Sequence, residues 1–450
     1  MAVWFLLVSC VMVTPSLSVN QGARALDAPS QGAQPAPLSL AAAIAEAKRQ
    51  VPLLQSSKAT VAQRQWQVQQ ERASFLPRLD LFMGYVPLYE FATEATGATY
   101  QEGVVALKSP LSELGGILQM PAFDGMQNVY RLRAHKLRLR AAQDSHGWED
   151  FVTERLVRYR YREVQAAVLI EEAAQEQVKS LKSHLEQVRS MRGQRAATDF
   201  DLLRVQVRLE DANTELLKAQ DTIVLSRRNL AQAMGLLADD RPLVGALPEV
   251  DRGAAQTVAA IDSKAVPLRL DVRALGHLQR AQQALKDAAA SFWVPKVDVV
   301  GHYNRYNNWD RSIHHPELYK NSYIVGIRVR MNVFDGLASR SAAKAAALEG
   351  TKIEQEQRQL VLRQSYATEE ARRGYLYAHA LFAARNLNIE RARQNLQLAF
   401  AGYRYGSQNS TDVLDAESDL YNAQADAVRA RLAIEENAMA LELALGQELG

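Results

Sequence analysis

Cysteine is almost missing from this chain: its 450 residues include one, Cys10, so no internal disulfide can staple the fold. Aromatic residues are scarce as well, at 7 %, which argues against several compact cores in a chain long enough for two to four domains. Charge of one sign does not dominate either. The 53 Lys and Arg against 50 Asp and Glu leave a net +3, too little to draw in nucleic acid or an acidic substrate. No apolar run reaches the roughly 18 residues that a transmembrane helix needs. A Gly-rich phosphate loop, a His-Glu-x-x-His site and a nucleophile elbow are also missing, so the expectation is a protein that is not an enzyme and uses no cofactor or metal. His314-His315, an adjacent pair without further ligands at metal spacing, is a weak zinc signal.

What remains is the Ala, Leu, Gln, Glu and Arg palette of long helices, and it is written twice. Pro77-Arg78-Leu79-Asp80-Leu81 returns as Pro295-Lys296-Val297-Asp298-Val299, and Phe123-Asp124-Gly125 as Phe334-Asp335-Gly336. Asp124 to Asp201 and Asp335 to Asp412 both span 77 residues, while Asp201 to Gly235 and Asp412 to Gly446 both span 34. Landmarks at identical separations make each half one structural unit, and a duplicated unit suits a pseudosymmetric ring or tube.

The apolar stretch from Ala2 to Val13 has the length of a signal-peptide core, and residues 1–25 are read as a signal with cleavage after Ala25. Leu7-Val8-Ser9-Cys10 also resembles a lipoprotein box, which leaves lipidation of Cys10 open. A linker over 26–37 follows. The first repeat covers 38–237: a helix, strands at about 78–90 and 112–124, a long helix over 126–192 and a helix over 199–237. A linker over 238–260 separates it from the second repeat, 261–447. That repeat has a helix, strands at about 296–308 and 322–334, a long helix over 337–403 and a helix over 411–446. Each long proline-free stretch makes a helix of about 100 Å, roughly three times the hydrocarbon thickness of a bilayer. Helices so long and so charged belong in water.

The helix after each long one carries a seam. Leu202, Val205, Leu209, Ala212, Leu216, Ala219 and Ile223 alternate steps of three and four, as do Val413, Ala416, Leu420, Ala423, Ala427, Ala430 and Ile434. That period makes a coiled coil, and its alanines let backbones approach closely. One narrow seam cannot hold such a helix alone, so neighbours from other protomers are expected.

The strands alternate with period two. From Tyr323 to Val333 the odd positions are Tyr, Val, Ile, Val, Met and Val, while the even ones include Gly326, Arg328, Arg330 and Asn332. About eleven residues in this pattern suit a tilted barrel strand, apolar to lipid and polar to a lumen. Arg328, Arg330 and Asp298 are then the lumen candidates, and Tyr303, Tyr306 and Trp309 candidates for an interfacial girdle. A strand pair lying on a soluble core is the alternative. Four strands are too few to close a barrel, so the barrel reading requires oligomerisation.

The order of elements, the Phe-Asp-Gly strand ends and the stretch Tyr403-Arg404-Tyr405-Gly406 through Thr411-Asp412-Val413-Leu414-Asp415-Ala416 resemble the TolC family of bacterial outer-membrane efflux channels. The resemblance runs from about residue 38 to 447. It implies a mostly α fold with a transmembrane β-barrel contribution: a homotrimer, four strands per protomer in one twelve-stranded barrel, and a long coiled-coil tunnel. It also implies an outer-membrane location with most of the chain in the periplasm, a periplasmic adaptor (membrane fusion) protein, and an inner-membrane RND or ABC transporter as partners. No nucleic acid partner follows from it. The chain itself is then a passive conduit for small molecules; a type I protein-secretion duct shares the fold, and a soluble periplasmic adaptor or scaffold is the remaining alternative.

By the same resemblance Asp412 and Asp415 form the periplasmic gate. Residues three apart share a helix face, and a threefold axis turns them into two acidic rings that favour cations. Acidic residues in a helix's first turn are equally favoured by its dipole, so the residues alone leave both readings open. The family's latch positions fall on Tyr403 and Gln408, the latter in place of an Arg, with Thr198 and Asp199 opposite. The register is ambiguous, because helix spacing pairs Asp412 with Asp201 while counting from the glycine pairs it with Asp199; Asp199 is kept as the candidate. Arg131 to Arg140, a basic run just past Gly125, reads as a lipid or nucleic-acid contact or simply as a solvated helix face.

Overall fold

Pro52 divides what the sequence offers as one opening helix. Val51 is extended before it, as a residue preceding proline prefers, and Pro52 then starts the next helix at a position that lacks an amide partner anyway. The computed structural model describes residues 37–93, 105–194, 197–251, 253–261, 269–307 and 319–449. The signal segment with Cys10, Trp309 and His314-His315 lie outside the described residues. The elements run α1 (Leu40–Gln50), α2 (Pro52–Ala73), β1 (Arg78–Thr93), β2 (Val105–Phe123), α3 (Gln127–Gly193), α4 (Asp199–Ala233), α5 (Ala254–Ala259), α6 (Leu270–Ala290), β3 (Lys296–Asn307), β4 (Lys320–Arg330), α7 (Ala338–Arg404) and α8 (Ser410–Leu445).

The repeated Phe-Asp-Gly is a turn with a cap. Asp124 accepts the amide of Asn128 with its carboxylate, and Asp335 accepts that of Ser339 at 2.9 Å, so each satisfies an orphan donor in the first turn of a long helix. The glycine and the residue after it both take positive φ: 70° at Gly125 and Met126, 67° and 69° at Gly336 and Leu337. A Cβ on Gly125 would lie 2.8 Å from the Val294 side chain, a second reason for glycine there. Because Met126 and Leu337 are left-handed, α3 and α7 begin one residue later than the sequence suggests, and each still spans 67 residues.

The strands form one antiparallel sheet in the order β1-β2-β3-β4, with the two repeats joined edge to edge between β2 and β3. β2 reaches back to Val105 rather than starting near 112, and β4 stops at Arg330 rather than 334. The register stacks Leu79, Leu81 and Met83 of β1 beside Leu118, Gly116 and Leu114 of β2. It continues that face through Val299, Gly301 and Tyr303 of β3 to Ile327, Val325 and Tyr323 of β4. Met83 is 85 % exposed and Val325 81 % exposed, so this apolar face covers no core. The reading of a strand pair resting on a soluble core is thereby overturned. Tyr303 lies on the apolar face as expected, whereas Tyr306, opposite Glu113 and Lys320, lies on the polar one.

Below the sheet, α2, α3, α6 and α7 lie side by side, and farther down α3 packs with α4 and α8, and α8 with α7. The core is a string of clusters along this stem. One holds Val178, Leu181, Leu185 and Val188 of α3 against Val205 and Ala212 of α4, Tyr403 of α7, and Val413 and Ala416 of α8. Ala427, Ala430 and Ile434 continue the expected α8 seam as buried residues. α8 also buries a second stripe, Leu414, Glu417, Tyr421 and Ala425, which the seven-residue pattern did not suggest.

Candidate periplasmic gate and channel wall

The tips of the two helical pairs are built alike. α7 ends in a Schellman turn: Gly406, at φ 75°, gives its amide to Tyr403, and the Ser407 amide reaches the Gly402 carbonyl at 2.9 Å. The chain then enters α8 through a capping box in which Asn409 and Asp412 exchange side-chain and amide hydrogen bonds, both 3.0 Å. α4 opens the same way, with Thr198 as cap and Asp201 accepting the Thr198 amide at 3.0 Å. Asp201 and Asp412 are therefore equivalent. Helix spacing decides the register in favour of Asp201, because both acids are third in their helices; Asp199, first in α4, is the counterpart of Ser410.

Asp412 is thus a cap as well as a gate candidate, and its carboxylate is tied to its own helix start. Asp415, one turn on, is 59 % exposed at its side chain and sits 3.4 Å from Arg208 of α4. Arg204 of α4 donates to the Thr411 hydroxyl. Two arginines four residues apart thus lean on α8 beside the two acids, so the predicted negative ring carries counter-charge next to it. That pairing is invisible in sequence, since Arg208 and Asp415 lie 207 residues apart.

The latch candidates do not meet within one chain. Tyr403 is buried, and burial with the nearby Asp201 charge pushes its phenol up. Gln408 packs over Gly402, where a Cβ would lie 2.8 Å from its Oε1, and among the described residues its side chain makes no hydrogen bond to Thr198 or Asp199. Asp199 instead pairs with Arg192 at 2.6 Å. A polar group that the sequence did not single out lies behind them. His184 of α3 is fully buried, with Nε2 3.2 Å from the Ser410 hydroxyl and its ring edge to Phe400 and tilted against Tyr403. One turn away, Ser180 donates to Glu417 at 2.6 Å. Burial lowers His184 to about 4 and raises Glu417 to about 7, so both are neutral near pH 6.

In the sheet, Arg328, Arg330 and Asp298 share the face opposite the apolar one. Arg330 Nη2 lies 2.7 Å from Asp298 Oδ2, and Asp298 is buried. On the same face Phe82 stacks on His302 at 5.7 Å and Asn304 donates to Glu113 at 3.1 Å. One side of the sheet therefore carries most of the charged and hydrogen-bonded residues, and the other is mostly apolar apart from Arg305 and Asn321. That is the division a channel wall in a bilayer needs.

Comparison with known proteins fits this geometry. Residues 263–447 match the family described as outer membrane efflux protein. The outer membrane protein VceC of Vibrio cholerae has a TM-score of 0.74 at 17 % identity, over 91 % of this chain and 97 % of that one. The CmeC outer membrane channel of Campylobacter jejuni gives 0.73 at 14 % over 90 % and 85 %. The open-state MtrE outer membrane channel of Neisseria gonorrhoeae gives 0.72 at 17 % over 91 % and 89 %. No curated protein matches by sequence. The resemblance to the TolC family is thus met twice: the second repeat carries the sequence signature of the outer membrane efflux proteins, and the chain along nine-tenths of its length carries the fold of these channels.

Proposed function

We propose that this chain is one protomer of a trimeric outer-membrane efflux channel, a passive conduit that receives small molecules from a periplasmic adaptor and an RND or ABC transporter of the inner membrane. The observation that carries the reading is the sheet. Its apolar face is bare, and β1 and β4 are edge strands that do not pair with each other. Open edges and a bare apolar face are aggregation hazards in water, and both are resolved when three copies close a twelve-stranded barrel in lipid. Exposed apolar residues on α4, among them Leu203, Val207 and Leu217, supply the stem with a surface for the next protomer. The efflux description of the matched family supports small molecules over a secreted protein as cargo.

Within that channel Asp412 and Asp415 are the gate acids, with Arg208 tempering Asp415. Arg328, Arg330 and Asp298 line the barrel lumen, and Gln408, Thr198 and Asp199 act at protomer boundaries of the tip, with Tyr403 buried behind them. Planar-bilayer recording tests the gate. Asp412→Ala combined with Asp415→Ala should weaken cation preference and divalent block, while Arg208→Ala should strengthen both. Unchanged selectivity in the double variant refutes the gate, and a detergent-independent monomer refutes the channel.

A further inference from the structure

We infer that Arg64 and Arg138 form a binding site for a phosphate-type oxyanion, a monoester or a diester, in the seam between α2 and α3. Leu54, Ser57, Val61, Arg64, Val68 and Glu71 recur at steps of three and four along the inner side of α2, where Leu54 and Val68 are buried. Arg64 thus stands where a packing residue is expected. Arg138 faces it from α3, about 17 Å from that helix's start, and both line a 570 Å³ groove with Ser56, Thr60 and Ser145.

Among the described residues nothing neutralises the pair. Arg64 gives one hydrogen bond to Gln67 at 2.8 Å, and among the described residues no carboxylate pairs with either guanidinium. The nearby Glu71 lies 3.9 Å from His135 instead. Glu149 also lines the groove, but eleven residues along α3 from Arg138 puts it about 17 Å away. Burial and then the Arg64 charge lower Arg138, and burial, set against Glu71, with the charges of Arg138, Arg64 and Arg131 lowers His135, so the local field is positive.

Two guanidinium forks from opposite helices suit a tetrahedral anion, whose several oxygens can accept from both, better than a carboxylate, which one fork satisfies. The scaffold does not require the pair. Pro77 and Pro295 align α2 with α6, and Asp124 and Asp335 align α3 with α7, so the same places in the second repeat hold Gln282 and Glu349. This site also gives the basic run Arg131 to Arg140 a use: most of it is a solvated helix face, and Arg138 is the member turned toward α2.

Thermal unfolding of the purified full-length protein in detergent tests the site, with two ligands in separate arms. Inorganic phosphate is titrated against sodium chloride of equal ionic strength, and phosphatidylglycerol is added to the micelles against an uncharged lipid. A midpoint raised by several degrees by phosphate alone assigns a free anion, and by phosphatidylglycerol alone a lipid headgroup; either supports the site if Arg138→Gln abolishes the rise. Relief of repulsion should leave Arg138→Gln at least as stable as the parent without anion. If that variant does not fold, Arg64→Gln carries the same comparison. No rise beyond chloride in either arm, or a rise that survives in the folded variants, overturns the proposal.

Discussion

The two repeats share their turns and differ in what they bury. Phe-Asp-Gly, the capping boxes at Thr198 and Asn409, and the 67-residue helices recur at matching positions. Thr153 and Gln364 are buried polar residues at matching places, but most of the other buried polar groups do not recur. Aligned as above, Arg155 of α3 corresponds to Tyr366, Tyr161 to Arg372, His184 to Asn395, and Glu417 of α8 to Gln206. Shared positions are dictated by chain geometry: a helix end needs its cap in either half. Unshared ones show where the halves meet something different, and most of them touch the other repeat or the connection between the repeats.

Arg155 should break that asymmetry most severely. It is 3 % exposed, lies 3.1 Å from Glu442 and 2.6 Å from Glu448, and stacks over the Phe151 ring at 3.8 Å. It thus fastens α3 to the end of α8. Arg155→Ala leaves the buried Glu442 carboxylate only Arg158 at 3.7 Å and the Leu449 amide at 3.2 Å, and should cost about 3 kcal/mol in denaturant unfolding. A loss under about 1 kcal/mol would mean that water already reaches the pair.

The His184 and Glu417 pair sharpens the comparison through the sign of its pH dependence. Unfolded histidine protonates near 6.5 but His184 only near 4, so its contribution is full above 6.5 and is lost as pH falls through that window. Unfolded glutamate ionises near 4.5 but Glu417 only near 7, so its contribution is full below 4.5 and is lost as pH rises to 7. Between 4.5 and 6.5 the two slopes oppose each other. Glu417→Gln, which copies Gln206, should leave only the histidine and make acidification destabilising. His184→Asn, which copies Asn395, should leave only the glutamate and reverse the slope. The swing is on the order of 3 kcal/mol at most. Urea midpoints measured across that range that slope the same way in both variants would contradict the burial of one of the two groups.

Tyr161 should come next. Its hydroxyl, buried under α1, lies 2.8 Å from the Leu38 carbonyl and 2.7 Å from that of Val244, and accepts the Val244 amide at 3.0 Å. Tyr161→Phe removes these bonds while the Val244 amide still reaches the Leu38 carbonyl at 3.0 Å, for a loss of about 1.5 kcal/mol. Chain proteolysis should then open the 238–250 connection first.

Much of this was legible in the sequence because it is periodic. Alternation in Tyr323 to Val329 gave the apolar face, the spacing of Val413 to Ile434 gave one seam of α8, and Gly406 gave the break. The second stripe of α8 was hidden because Glu417 sits in it, and a polar residue at a core position looks like surface in an amphipathic pattern. His184 was hidden for the same reason. Arg208, Arg155 and Tyr161 find partners 83 to 293 residues away, and no local pattern encodes such pairs. Asp412 was legible as an acid at a helix start, while its place in a capping box needed Asn409's hydrogen bonds.

The caps give the smallest effect, and the one in which the two repeats should agree. Thr198→Ala and Asn409→Ala each remove one side-chain acceptor at an exposed helix start, and each should cost about 1 kcal/mol. Equal losses mean that Asp412 and Asp201 do the same local work, and that any selectivity lost with Asp412 comes from its charge at the tip. An Asn409 loss well above that of Thr198 means that the α7–α8 turn is held by more than its own helix. In that case the proposed protomer boundary at Gln408 is where to look.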